Sequence, residues 1–233
     1  MSPVPESATA SPNRSVATDH TSEELSPAER AYRAIRDRLV MLEVRRGAPV
    51  NEEQLGQSLG AGRTPVREAL KRPQYERLIS TCPRRGTFAT EVDITDLAHI
   101  SGVRQELEPL AAAQAARRAT ATDRATSTAL REELENPGSR RYAAAELMRL
   151  GLQVHRAVYA TTHNLYLEDA LVRHDRLATR ICCLSVDRLS DMAGDVEEHG
   201  PLIEAIVTGD SDRAAQFARG HVAGFERAIR EAI

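Results

Sequence analysis

The sequence contains no tryptophan, aromatic residues make up only 3% of its 233 residues, and cysteine occurs three times. Vicinal cysteines such as Cys182 and Cys183 rarely form a relaxed disulfide, and Cys82 makes the number odd. The pattern therefore excludes a disulfide framework. We expect three buried thiols in a reducing compartment.

Long apolar runs are also missing. No stretch of about 18 consecutive apolar residues occurs, which is the length that a membrane-spanning helix requires. Residues 1–25 are rich in Ser, Thr, Ala, Pro and Glu and include no apolar segment of the kind found in signal peptides. We therefore expect a cytoplasmic protein that has no membrane span.

The charge is unevenly distributed along the chain, although the net charge is only −3. Residues 1–25 carry about −3, residues 26–92 about +5 and residues 93–233 about −5. A basic segment inside an acidic chain is typical of a protein in which one domain meets phosphate groups and the other does not. A chance excess of surface arginine is the alternative that charge alone leaves open.

The length favours two domains, since domains cluster near roughly 100–150 residues. Residues 1–25 are too polar to bury a core, so we predict that they form a disordered tail. We assign residues 26–92 to a first domain and residues 93–233 to a second. The predicted fold class is mainly α, with an N-terminal winged helix-turn-helix and a C-terminal all-helical bundle.

The first domain begins with a helix that is marked by a capping box, with Ser26 as the cap, Pro27 next and Glu29 at the third helical position. This helix is expected to end near Glu43. A second, short helix is expected after Asn51, and it ends at the glycine-rich segment 60–62.

A third helix follows the glycine turn, with Thr64 as its predicted cap and Pro65 at its first helical position. Two short helices joined in this way are typical of a helix-turn-helix. Predicted strands at 78–81 and 87–90 flank a basic tip at 82–86, which indicates a hairpin wing.

The second domain shows helical periodicity throughout and no convincing strand. Breaks are predicted near residues 120–122, 136–139, 161–164, 189–194 and 209–211. They divide the domain into about six helices around one core.

Three sequence strings in the first domain strongly resemble the GntR family of winged-helix repressors: NEEQL at 51–55, GRTPVREAL at 62–70 and PRRG at 83–86. The resemblance covers about residues 28–92. It implies that Arg63 and Arg67 reach bases or phosphates in the major groove, that Thr64 contacts the DNA backbone, and that Arg85 and Gly86 enter the minor groove.

The residues themselves agree with this assignment. Arg63 and Arg67 lie four positions apart at a helix start, where the helix dipole and the free amides favour phosphate. An ordinary solvated Arg67 paired with Glu68 or Glu52 is the alternative. Pro73 departs from the family pattern, and we expect the third helix to end early or to kink near Arg72.

The second domain resembles the FCD ligand-binding domain of the FadR-like branch of that family. The resemblance rests on VRQELEPLA at 103–111, VH at 154–155, Asn164, EH at 198–199, AI at 205–206, GD at 209–210 and His221. In that branch one aspartate and three histidines bind a divalent metal, and an arginine faces the carboxylate of an organic acid.

Carried over position by position, the resemblance makes His155, His199 and His221 the metal ligands and Arg104 the effector contact. Gly151 stands where the aspartate is expected. Three imidazoles can hold zinc or nickel, with binding weakened by the missing carboxylate. Each histidine, taken alone, could equally be an ordinary structural residue, and Arg104 could pair with Glu106 or Glu108.

The sequence thus predicts a homodimeric DNA-binding regulator, and by similarity a repressor, whose affinity for operator DNA is controlled by a small carboxylate effector. Two alternatives stay open at this stage. One is a metal-dependent enzyme that uses the three histidines, with Glu198 as its base. The other is a constitutive DNA binder whose pocket has decayed.

Overall fold

The computed structural model describes residues 25–135, 144–185 and 198–232. In these ranges it contains nine helices and one two-stranded sheet. The helices are α1 (Pro27–Val40), α2 (Glu52–Leu59), α3 (Arg63–Tyr75), α4 (Asp96–Arg118), α5 (Ala121–Glu135), α6 (Ala144–Thr161), α7 (Leu165–Ser185), α8 (His199–Thr208) and α9 (Ser211–Glu231). The predicted tail at 1–24 and the predicted breaks at 136–139 and 189–194 lie outside the described residues.

The caps of the first two helices explain where these helices begin. The Ser26 hydroxyl accepts a hydrogen bond from the Glu29 amide at 3.1 Å, and the Asn51 side chain accepts from the amides of Glu53 and Gln54. Each cap satisfies amides that have no partner inside the helix. Helix α1 ends at Val40 rather than near Glu43, because the chain enters a turn there.

Helix α3 begins two residues earlier than predicted, at Arg63. Gly62 occupies the cap position in an extended conformation, and Thr64 makes no capping hydrogen bond. The prediction that Thr64 caps the helix is therefore wrong. Pro65 is tolerated at the third position because amides of the first turn have no intrahelical acceptor.

Pro73 lies inside α3, and the helix continues past it to Tyr75. Of the two predicted outcomes, an early end near Arg72 is therefore wrong, and a kink there stays a prediction. The proline is buried and lies in the last turn, so that its missing amide removes only one hydrogen bond close to the helix end. Its carbonyl still accepts from the Leu78 amide at 2.8 Å, which leads the chain directly into the wing.

The wing is an antiparallel hairpin of β1 (Ile79–Cys82) and β2 (Gly86–Ala89), each within one residue of its predicted position. Ile79 pairs with Ala89, and Cys82 pairs with Gly86 across the turn. Pro49 forms an isolated bridge with Phe88, which attaches the segment before α2 to the hairpin.

Six helices, α4 to α9, form the second half of the described chain, as predicted. Helix α4 lies at their centre, where it packs along α9 and also against α6, α7 and α8. No helix within the described ranges is long and apolar enough to cross a membrane. The three cysteines are free, but only Cys182 is buried, since Cys82 and Cys183 are partly exposed.

One apolar core joins the two halves. Residues of α1, α3 and the wing share it with Leu97 of α4, Leu152 of α6 and Ile181 of α7. A second core lies wholly within the bundle and includes Ala112 and Ile206. The predicted boundary between residues 92 and 93 stays a prediction.

Arg77, between α3 and β1, has a left-handed backbone with φ of 59°. Such a conformation destabilises a residue that carries a Cβ atom by about 1–2 kcal/mol. Replacing Arg77 with glycine should therefore raise the free energy of unfolding by about 1 kcal/mol in urea denaturation. The matched variant Arg77→Ala, which keeps the Cβ atom, should show no such gain, and an equal gain in both variants would contradict the explanation.

Candidate functional site

The first turns of α3 present a basic, solvent-exposed face. Arg63, Thr64 and Arg67 are all exposed. On the opposite face of the same helix, Val66 and Leu70 are buried. The buried residues hold the helix on α1 and the wing, so the exposed ones keep a fixed direction. This arrangement gives a rigid helix whose N-terminal end carries two guanidinium groups.

Arg67 is paired in the free protein. Its Nε donates to Oε2 of Glu52 at 2.7 Å, which is one of the two partners that the sequence offered. The two side chains are 67% and 39% exposed, and pairs of this kind contribute little to stability. Glu52 therefore orients Arg67 on the surface and can be displaced from it by a phosphate or a base.

The wing tip is the second exposed basic element. Arg84, Arg85 and Gly86 are exposed, and the backbone of Gly86 is left-handed with φ of 103°. Arg84 also has a positive φ, of 63°, which the sequence pattern did not reveal. Without a side chain at Gly86, the backbone of the tip can approach another molecule closely.

The three predicted histidines converge inside the bundle from three different helices. His155 of α6, His199 of α8 and His221 of α9 each offer a nitrogen, and these nitrogens lie within 4.8 Å of one another. Nε2 of His155 lies 3.3 Å from Nε2 of His199. His155 and His199 are buried and the His221 side chain is 11% exposed, so the cluster faces the interior of the protein.

The environment keeps two of these imidazoles, those of His155 and His221, uncharged. Burial lowers the pKa of His155 and of His221 well below the ordinary value, and the neighbouring His199 and the Arg104 guanidinium lower both pKa values further. A neutral imidazole has a free lone pair, which is the form that binds a metal ion. Within the part of the chain that the structure describes, this is the one cluster whose donor atoms suit a metal.

Two buried residues lie behind the cluster: Tyr159, which the sequence analysis missed, and Glu108, which it offered only as a partner of Arg104. Nδ1 of His155 lies 3.2 Å from the Tyr159 hydroxyl and 3.8 Å from Oε2 of Glu108. Both residues are buried. They occupy one side of the His155 ring and so leave Nε2 directed at the other histidines, as outer partners of metal ligands do. Only the spacing of four between His155 and Tyr159 could have indicated one of them from the sequence.

Arg104 is buried at the edge of the same cluster. Its Nε donates to Oε1 of Glu108 at 2.5 Å, and its Nη2 lies 3.7 Å from Oδ1 of Asp175. The structure therefore shows pairing with Glu108, whereas Glu106 is exposed. Contact between Arg104 and an effector stays a prediction.

A cavity of about 70 Å³ opens beside the histidines. Its lining combines polar groups, which are Arg104, Asp175, Thr179 and the three histidines, with apolar side chains of α6, α7 and α9. Gly151 also lines it, and a Cβ atom there would lie 4.0 Å from Cε1 of His199, an ordinary contact distance. The missing aspartate thus leaves open space next to the cluster.

Asp175 should make the stability of the protein depend on pH. Burial, opposed by Arg104 and assisted by Glu108, raises the pKa of Asp175 from 3.8 to about 7. Between these pH values the carboxyl group ionises in the unfolded chain and stays protonated in the folded one, so folding is disfavoured progressively as the pH rises. From pH 4.5 to pH 7 the free energy of unfolding of the wild type should therefore fall relative to that of Asp175→Asn. Denaturant titrations at both pH values test this, and a difference that is independent of pH would contradict it.

The comparisons with known proteins agree with both halves of the structure. The model of "Bacterial regulatory proteins, gntR family" matches residues 27–89, and the model of the "FCD domain" matches residues 99–224. A relative from Paenarthrobacter nicotinovorans, named "Probable D-xylose utilization operon transcriptional repressor", is 29% identical over 184 residues, which is 77% of this chain and 78% of the relative. The "Galactonate operon transcriptional repressor" of Escherichia coli is 26% identical over 79% of this chain and 89% of its own length.

A solved structure, "E. coli McbR/YncC", has the same fold, with a TM-score of 0.75 at 20% identity over 89% of this chain and 99% of that one. The matched families and relatives regulate transcription and are not enzymes, which contradicts the alternative of a metal-dependent enzyme. With both family models matched in order along the winged half and the helical half, the chain belongs to the GntR family of transcriptional regulators, in the branch that carries an FCD domain.

Proposed function

We propose that this regulator represses transcription and that a small organic acid, bound in the histidine cavity together with a divalent metal, controls its affinity for operator DNA. The observation that carries the proposal is the convergence of His155, His199 and His221 on one cavity. Three imidazoles from three helices lie together in the interior, where apolar side chains would otherwise pack. This arrangement favours a ligand-binding site.

The donor set fits zinc or nickel. Both ions accept imidazole nitrogen, and three protein ligands leave positions open for water or for a carboxylate. When bound, the metal would supply a positive centre that anchors the acid. Tyr159 and Glu108 would orient His155 from behind, and the space at Gly151 would leave room for the effector's own carboxylate.

Arg104 is the second group proposed to recognise the acid. It lines the cavity, and its charge is already balanced by Glu108 and Asp175. An entering carboxylate would therefore compete with these two side chains for the guanidinium. The cavity is small, which favours a compact acid over a long acyl chain.

The DNA side of the proposal rests on the exposed residues of α3 and the wing. Arg63, Thr64 and Arg67 would contact the major groove, and Arg85 with Gly86 would contact the minor groove. We propose a homodimer, since two-fold proteins read palindromic half-sites. A regulator that binds operator DNA acts in the compartment that holds the DNA, and we place this one in the cytoplasm on that ground.

Arg67→Ala should lower the affinity for the DNA upstream of the protein's own gene about tenfold or more, because one charged contact to the groove is lost. Fluorescence anisotropy across a salt series measures this, with a steep salt dependence expected for the wild type. Arg230→Ala is the matched control, since it also removes an exposed arginine from an ion pair, with Glu226 on α9. Absence of binding at low salt would overturn the proposed DNA contacts.

Gly151→Asp should tighten zinc binding, because it places an anionic group beside His199 where the chain has open space. Since the loss of even an outer partner weakens metal sites 10- to 100-fold, a gain of about tenfold or more is expected. Isothermal titration with Zn²⁺ measures it. His221→Ala should abolish binding, and His163→Ala, which alters an exposed histidine that contacts Asp123, should leave it unchanged.

The remaining alternative is a constitutive DNA binder with a decayed pocket. It predicts that DNA affinity is the same after chelation and in the presence of a panel of small mono- and dicarboxylates. A change in DNA affinity with any of these acids, lost in His221→Ala, would support control by an effector.

A further inference from the structure

Helix α7 contacts both functional sites with different faces. Asp175, Thr179 and Cys182 line the histidine cavity. Arg176, which follows Asp175, and Arg180, which follows Thr179, contact the winged helix-turn-helix instead. Successive residues of an α-helix point about 100° apart, so a single helix presents both sets of side chains at once.

Arg176 holds the end of the DNA-reading helix. Its Nη1 lies 2.7 Å from Oε1 of Glu76 and donates to the Tyr32 hydroxyl at 3.3 Å. Glu76 is the residue that ends α3, and the Tyr32 hydroxyl donates to it at 2.5 Å. The Arg176 side chain is only 8% exposed, so this contact is shielded from water and salt.

Arg180 holds the base of the wing. Its Nη1 donates to Oγ1 of Thr90 at 2.6 Å and its Nη2 donates to the Thr90 carbonyl at 2.7 Å. Thr90 directly follows β2, and its amide donates to the Leu78 carbonyl next to β1. Arg180 is 2% exposed, and its position is therefore fixed by the surrounding core.

The contacts made by α7 differ in kind from an ionic contact that α6 makes with the winged half. Arg149 of α6 pairs with Asp37 and Glu43, and these three side chains are 35%, 40% and 50% exposed. Exposed pairs are weak, whereas a buried charge that loses its partner is strongly destabilised. The buried arginines of α7 therefore hold the relative position of the two halves more firmly than Arg149 does.

We propose that Arg176 and Arg180, here called the α7 latch, transmit the state of the histidine cavity to the DNA-reading surface. A ligand that displaces Asp175 or Thr179 moves α7, and the latch carries this movement to the end of α3 and to the base of the wing. The inference rests on the proposed function in that the cavity must change state. It adds the route by which this change reaches the DNA-reading helix.

Hydrogen exchange of the full-length protein tests the latch without requiring an identified effector. The cavity is perturbed in two ways, by Zn²⁺ and by Gly151→Asp. In the otherwise unchanged chain, either perturbation should alter exchange about threefold or more both around His155 and in residues 63–90. In the double variant Arg176→Ala, Arg180→Ala the response around His155 should persist and the response in residues 63–90 should disappear.

Arg149→Ala is the matched control, because it removes an ionic contact between the two halves that does not involve α7. In this variant the change in hydrogen exchange of residues 63–90 on perturbing the cavity should match that of the wild type. If the double variant does not fold, Arg176→Lys, which keeps the charge but not the guanidinium geometry, should reduce the response by about half or more. An undiminished response in the latch variants would overturn the inference, and so would no response in residues 63–90 of the intact chain. If zinc fails to bind, the metal part of the proposed function fails, and Gly151→Asp still decides the role of the latch.

Discussion

The bundle is organised around a charge that water cannot reach. Arg104 is 2% exposed, and a guanidinium in such a place requires anionic partners close by. Glu108, one turn further along α4, provides one, and Asp175 of α7 provides a second when it is ionised. Glu108 also lies near His155, so the partner of Arg104 is at the same time a neighbour of the histidine cluster. Losing one partner of such a buried pair costs about 3–5 kcal/mol.

A second constraint is the apolar core that the two halves share. Side chains of α4, α6, α7 and α9 pack with those of α1, α3 and the wing. Displacing the winged half would expose this apolar surface to water, and its burial is favourable by about 25 cal/mol per Å². The winged half is therefore held on the bundle by a packed interface.

The sequence predicted those features that depend on local chemistry. The caps at Ser26 and Asn51, the glycine turn, the wing and the six helices of the second half all follow from residue types at fixed spacing. The convergence of the three histidines could be predicted only through the family resemblance, because they come from three separate helices. Tyr159 and Asp175 were not predicted, and Glu108 was offered only as a partner of Arg104, since burial and neighbours across helices decide their roles. The predicted start of α3 and its predicted early end near Arg72 were wrong because the local signals of Thr64 and Pro73 did not decide the bounds of the helix.

The pairing of Arg67 with Glu52 has a consequence for how the protein searches a genome. While the pair is closed, the reading face presents one positive charge fewer to any phosphate that it meets. Attraction to DNA of arbitrary sequence depends on such charges, and it weakens when fewer of them are available. In the proposed DNA contact, a phosphate or a base must displace Glu52 before it can bind Arg67. The free energy needed to open this exposed pair is small and is the same at every sequence, so the carboxylate lowers the affinity for DNA as a whole.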